Sequence, residues 1–332
     1  MSIAPYPSLR LRRIRANQSL YDLFQENHLN SHQLIAPLFV REKEDAREIT
    51  AMPGVFQYLL EEIPTVIEEL YNLGIRCVML FPKTPDHLKD ELGIEAYNPD
   101  NLICRAIRVI KRAVPEIVVL TDVALDPYTT HGHDGICDEN GYVVNDITVE
   151  ALVKQSMNQI QAGSDGVSPS DMMDGRIQAI RSAFEKNAHH NALIVSYAVK
   201  YATCFYGPFR NAFGAKLKGN KRTYQLNPAN SQLAMREVLQ DIQEGADAVI
   251  IKPGLPYLDI VYQASQLKDC PVWAYQVSGE YSSIKFAAQA GAIDEKLAFL
   301  ETAMAFKRAG ASGVITYAAK DLAKWIRELN GF

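Results

Sequence analysis

Two lysines stand where an amine that attacks carbonyl groups would be useful. Lys200 ends the run Leu-Ile-Val-Ser-Tyr-Ala-Val-Lys, and Lys252 ends Ala-Val-Ile-Ile-Lys just before Pro-Gly. A lysine at the end of a buried strand is costly to keep charged, and both desolvation and a neighbouring cation lower its pKa from ~10.4. A shift of about 3 units, roughly 4 kcal/mol, leaves enough free amine at neutral pH to attack a ketone and form a Schiff base. The plainer alternative leaves each ammonium in water at its strand end. That reading is stronger for one lysine alone than for two on adjacent strands.

Tyr201–Pro228 carries Arg210, Lys216, Lys218, Lys221 and Arg222 with no acidic residue, in a chain whose formal charge is −5. It is a local trap for anions, since Arg clamps a carboxylate with two donors and Lys offers a point charge. Gly207-Pro208, Gly214 and Gly219 suit a moving segment, and Phe205, Tyr206 and Phe209 suit a cover, so residues 201–228 read as an active-site lid. A solvated basic loop is the alternative. Asp122, Asp126, Asp134 and Asp138 gather with His131 and His133 in one stretch. Such oxygen-rich sets suit Mg²⁺ better than zinc, and the competing reading is a polar loop whose side chains turn its own backbone.

Eight short apolar runs could position these groups: Leu34–Val40, Cys77–Phe81, Ile117–Val123, Gly166–Ser168, Leu193–Ser196, Ala248–Lys252, Val272–Gln276 and Gly313–Tyr317. Helical periodicity between them, as in Thr148–Ala162, Ala229–Glu244 and Asp294–Ala309, gives the alternation of βαβ units around a parallel sheet. Gly74, Gly163, Gly245 and Gly310 each separate a helical pattern from the next strand, where a left-handed residue ends a helix. The expected fold is a (β/α)8 TIM barrel over residues 31–332, preceded by an extended N-terminal arm over 1–30 that serves oligomer contacts. The rival, a doubly wound open sheet, lacks a Gly-rich phosphate loop after its early strands. In a barrel, the insertions Ala124–Asp146 and Tyr201–Pro228 follow strands and so fall on the working face.

Composition narrows the class. With 48% hydrophobic and 22% charged residues the chain is that of a folded globular protein, and its negative charge argues against a nucleic-acid partner. Five scattered cysteines without a CxxC pair fit a reducing compartment. No apolar run approaches a membrane span. The N-terminus has Arg10, Arg12, Arg13 and Arg15 but no apolar core of a secretory signal, so a cytoplasmic location is expected, with a transit peptide as the alternative.

The stretches Ser196-Tyr-Ala-Val-Lys200-Tyr-Ala-Thr-Cys-Phe-Tyr206-Gly-Pro-Phe-Arg210 and Ile251-Lys252-Pro-Gly-Leu-Pro-Tyr-Leu-Asp259 closely resemble the two lysine motifs of porphobilinogen synthases. Met52-Pro-Gly-Val55, Ser168-Pro-Ser-Asp-Met-Met-Asp174, Tyr224-Gln225-Leu-Asn-Pro, Tyr275-Gln-Val-Ser278-Gly-Glu and Thr316-Tyr317 match in order along the chain. The resemblance implies condensation of two 5-aminolevulinate molecules to porphobilinogen, with Schiff bases on Lys252 and Lys200. It places Ser278 and Tyr317 on the carboxylate of the first substrate. Arg210, Lys221 and Gln225 take that of the second, and Asp122 and Ser168 lie near the amino groups and proton transfers. Many members carry Arg where this chain has Lys221.

Zinc-dependent members have three cysteines at the positions of Ala124, Asp126 and Asp134, so the loop is similar to the aspartate-rich branch and no catalytic zinc is expected. That branch implies an allosteric Mg²⁺ at Glu237 and a homo-oligomer, an octamer in which the arm embraces a neighbour. Two rivals are a phosphate-binding Schiff-base aldolase, for which the sequence around Ser278 is too poor in glycine, and a silent scaffold barrel, which would not need both lysines and the carboxylate clamps.

Overall fold

A computed structural model describes residues 5–42, 48–209 and 217–329. Nine parallel strands form one sheet: β1 Leu34–Arg41, β2 Gln57–Leu59, β3 Cys77–Lys83, β4 Val118–Val123, β5 Gly166–Pro169, β6 Leu193–Lys200, β7 Ala248–Lys252, β8 Val272–Gln276 and β9 Gly313–Thr316. Their order is β2-β1-β3-β4-β5-β6-β7-β8-β9, and β1 also pairs with β9 at Leu34↔Val314 and Ile35↔Ile315. Eight strands therefore close into a barrel, and the three-residue β2 is an appendage on β1. The expected (β/α)8 architecture is the one observed.

The strands are almost wholly buried because helices cover them outside and side chains fill the barrel inside, which is why parallel strands read as unbroken apolar runs. Among the described residues the complete helices are α1 Gln18–Leu23, α2 Ile63–Asn72, α3 Leu102–Ala113, α4 Asn145–Gln161, α5 Arg176–Lys186, α6 Gln232–Gln243, α7 Leu258–Leu267, α8 Ser278–Gln289, α9 Glu295–Arg308 and α10 Ala319–Leu329. In α3 the Asn101 side chain accepts from Cys104 N at 2.9 Å, and Leu102, Ile103, Ala106, Ile107 and Ile110 form the buried stripe. Asp294 caps α9 in the same way, accepting from Leu297 N at 2.8 Å. Gly74, Gly163, Gly245 and Gly310 all have positive φ, between 91° and 107°, immediately after their helices. Before Leu34 the described part of the chain adds no strand. It forms a 3-10 turn at Leu11–Arg15 and α1, neither of which has a buried residue.

Candidate active site

The ends of β6 and β7 bring the two lysines together. Lys200 and Lys252 are register partners, and Tyr201 N donates to the Lys252 carbonyl at 3.0 Å. Partners in adjacent parallel strands point to the same face, so both side chains enter the barrel mouth, each only 6% exposed.

Their surroundings differ. Lys252 Nζ lies 4.7 Å from the ring centre of Tyr275, 4.8 Å from Tyr197, 5.3 Å from Phe209 and 5.4 Å from Tyr206. Among the described residues no carboxylate reaches ion-pair distance of it. Ring faces attract a cation but replace only part of its hydration. Burial, and then the Lys200 charge, lower the Lys252 pKa to about 7, against the opposing pull of Asp122, Asp126 and Asp134.

Lys200 instead donates to Asp134 Oδ1 at 3.1 Å and to the Ser170 carbonyl at 2.5 Å. Asp134 Oδ2 lies 2.9 Å from Lys221 Nζ, which also meets Asp126 Oδ2 at 3.1 Å. Charges thus alternate as Lys200, Asp134, Lys221, Asp126. Burial pushes the Asp134 carboxyl up, but the two ammoniums outweigh it and hold it well below the usual range. Lys221 is raised because the two carboxylates outweigh its own desolvation.

The remaining expected residues fall around the same mouth, with two exceptions. Asp122, on β4, is buried, and burial followed by the Asp126 charge pushes its carboxyl up to about 7. Asp122 Oδ1, Ser168 Oγ and Gln225 Oε1 are buried without a hydrogen-bond partner, so three of the groups expected to bind substrate have unspent polar atoms. Ser278 opens α8 and faces the first part of the lid, where its Oγ accepts from Phe209 N at 3.0 Å and donates to the Phe205 carbonyl at 3.2 Å. Tyr317 shares a 3.1 Å hydrogen bond with Tyr275. Arg210 lies outside the described residues. Glu237 sits apart from the mouth, partly buried on α6, where it and Asp174 line a cavity of about 370 Å³.

Residues 217–228, the second described part of the segment expected to form a lid, are held near both ends. Leu226 N donates to the Lys200 carbonyl at 3.0 Å, and Lys218 N donates to the His131 carbonyl at 3.0 Å. His133 Nε2 donates to the Lys218 carbonyl at 2.7 Å, while its Nδ1 accepts from the Tyr224 hydroxyl at 3.0 Å. The space left between the lysines, Asp122, Asp126, Lys221 and Gln225 is about 40 Å³, enough for a few waters and not for a substrate molecule. A larger cavity of about 510 Å³ lies on the outer flank beside β1 and α10, but it contains neither lysine. Lys200 and Lys252 both line the smaller space.

The family model described as delta-aminolevulinic acid dehydratase matches residues 8–325. The chain belongs to this family. Among its relatives, the delta-aminolevulinic acid dehydratase of Rhodobacter capsulatus is 48% identical over 97% of this chain and 98% of that protein. The chloroplastic enzyme of Selaginella martensii is 48% identical over 96% and 76%. A crystal structure of the Toxoplasma gondii delta-aminolevulinic acid dehydratase (porphobilinogen synthase), in complex with the reaction product porphobilinogen, superposes with a TM-score of 0.94. It is 46% identical and covers 96% of this chain and 91% of that one. The activity of the family, the hydro-lyase reaction that condenses two 5-aminolevulinate molecules to porphobilinogen in tetrapyrrole biosynthesis, is the activity of this chain.

Within a delta-aminolevulinic acid dehydratase site built this way, sequence reading missed Tyr197 and Tyr275 around Lys252, the Ser170 carbonyl on Lys200, and the His133 contact with the lid. Tyr197 and Tyr275 sit inside strand patterns that read as core. The pairing of Lys221 with Asp126 and Asp134 had a usable signal, a basic lid facing an acidic loop on one barrel face.

Proposed function

We propose that Lys252 and Lys200 form the Schiff bases of the condensation, Lys252 with the first substrate and Lys200 with the second. The observation that carries this reading is the pair of register-matched, buried lysines, one of which is poised near 7 in an aromatic pocket. A free amine attacks the ketone, the ketone oxygen leaves as water when the imine forms, and both lysines are returned as the new ring closes. Ser278 and Tyr317 hold the first carboxylate beside Lys252. Lys221, Gln225 and Arg210 hold the second, and Asp122 and Ser168 serve the amino groups and proton transfers. Lys221 must then exchange at least one aspartate for the incoming carboxylate, which couples substrate entry to the lid.

No catalytic zinc enters this reading. Ala124 offers no ligand, and Asp126 and Asp134 already share the ammonium of Lys221, which neutralises the charge a cation would meet there. Glu237 and Asp174 line one cavity and suit a hydrated Mg²⁺ held through its waters, acting on assembly and not on the reacting atoms. The arm exposes Leu11, Tyr21, Leu23 and Phe24, each more than half uncovered, which supports a role in contacts within a homo-oligomer, taken here as an octamer. Among the described residues no helix is long and apolar enough to cross a membrane. The five unpaired cysteines suit the cytoplasm.

Borohydride reduction with 5-aminolevulinate, followed by peptide mass spectrometry, tests the central reading. The expected result is an adduct on Lys252, and active enzyme that forms none overturns it. For the metals, stoichiometric zinc whose removal stops turnover contradicts the first assignment. Mg²⁺-dependent assembly that persists unchanged in Glu237→Ala contradicts the second.

A further inference from the structure

Glu280 is 4% exposed and has no cation within ion-pair distance among the described residues. Among the described residues its hydrogen-bond donors are main-chain amides. Val277 N donates to Oε2 at 2.8 Å and Leu255 N to Oε1 at 2.7 Å, and Gly254 contributes a third backbone contact. Burial pushes its carboxyl up to about 7, so these amides replace only part of the lost hydration. A neutral residue would avoid that cost to folding.

The bond to Val277 N is the local one expected when a glutamate at the third helical position reaches back to the residue before its helix. The bond to Leu255 is different in kind, because it crosses 25 residues to another strand's exit. Gly254 and Leu255 lie two and three residues beyond Lys252, and Val277 directly precedes Ser278. The carboxylate therefore ties the end of β7, which carries the amine, to the start of α8, which carries Ser278. Gly279 lets the start of α8 also approach the chain after β6, since a Cβ there would lie 2.6 Å from the Phe205 carbonyl oxygen. Several N–H donors converge on both oxygens, and only an acceptor-only group with two oxygens satisfies them all.

We propose that Glu280 is a positioning residue for the first substrate, fixing the distance between the Lys252 amine and the carboxylate-binding end at Ser278. The inference rests on the Schiff-base reading above and extends it to how the subsite measures its ligand. In Glu280→Gln one amide hydrogen is turned against a backbone donor, so the two elements lose their common anchor. A ligand held at both ends must suffer more than one held only by its ketone.

The test compares two ketones on full-length protein, each trapped on Lys252 by borohydride and quantified by mass spectrometry. One is 4-oxopentanoate, with the ketone and carboxylate of the substrate, and the other is 2-pentanone, with the ketone alone. The wild-type chain should trap 4-oxopentanoate at the lower concentration. In Glu280→Gln that preference should shrink about tenfold, the worth of a lost charge-assisted contact, with the fold retained by circular dichroism. Glu280→Asp keeps the charge but not the reach, and should behave alike. An unchanged preference in either folded variant, or an equal loss for both ketones, overturns the inference alone. Failure of both variants to fold also overturns it, because the carboxylate then serves the barrel and not the subsite. Absence of any Lys252 adduct in the wild-type chain overturns the Schiff-base reading and this inference with it.

Discussion

Lys252 and Lys200 occupy equivalent places on neighbouring strands, yet one side chain is surrounded by four aromatic rings and the other belongs to a row of alternating charges. At ~3 Å and an effective dielectric near 20, an ion pair such as Lys200 with Asp134 is attracted by about 5 kcal/mol before desolvation is counted. Lys252 has no such partner among the described residues and is the lysine whose proton is easily lost. Strand register sets where two amines sit, and the strand and loop side chains around them set what each can do. On the proposed scheme the amine without a carboxylate partner reacts first, and Lys200 follows once Asp134 is drawn elsewhere.

Removing either amine breaks the comparison most severely. Lys252→Met replaces the amine with an apolar chain of similar length, and turnover should fall by ~10³-fold or more with the barrel intact, because the covalent step is lost. Lys200→Met should lower product formation as far while still allowing borohydride trapping on Lys252, weaker at pH 7 and recovered at higher pH. Near-normal activity in Lys200→Met rules out the two-lysine scheme.

The parts of this arrangement that were legible in the sequence are those written in consecutive residues. Eight barrel strands announced themselves as apolar runs because both of their faces are buried, and the lysines were conspicuous as charges ending such runs. The appended β2 escaped, since three residues of alternating burial carry too little periodicity. Partnerships between distant loops were harder. Lys221 meets Asp126 across 95 residues and Glu280 meets Leu255 across 25, and neither spacing has a local signature. Asp134 was singled out as the remnant of a metal site, whereas in the folded chain it is the hinge between two ammoniums.

The charged half of the comparison is sharpened by smaller changes. Asp134→Asn removes the carboxylate that Lys200 and Lys221 share, leaving two buried ammoniums to repel each other. Turnover should drop by ~100-fold, with Lys252 trapping retained. Lys221→Ala should raise the concentration of second substrate required by roughly tenfold to a hundredfold, the worth of a charge-assisted contact of about 1.5–3 kcal/mol. Steady-state kinetics with single-turnover trapping separates the substrates, and equal loss of both places the lysine elsewhere.

The mildest perturbation is pH, and its sign is fixed by the aromatic half. Only the neutral amine attacks a ketone, so trapping on Lys252 should be flat above about 7 and fall about tenfold for each unit below it. Asp122 also titrates near 7 beside the pair, so the observed inflection belongs to the coupled groups. Substitution of the other lysine decides whether the charge row governs it. The Lys200 ammonium lowers the Lys252 pKa, and it also offsets Asp134, whose carboxylate raises that pKa. Lys200→Met removes both restraints, so the inflection should move upward and trapping at pH 7 should weaken by severalfold although Lys252 itself is untouched. Cyanoborohydride trapping between pH 5.5 and 9 reads this shift directly. An inflection that stays in place or moves downward would mean that desolvation by the rings alone sets the amine, and that the two halves of the site do not communicate through charge.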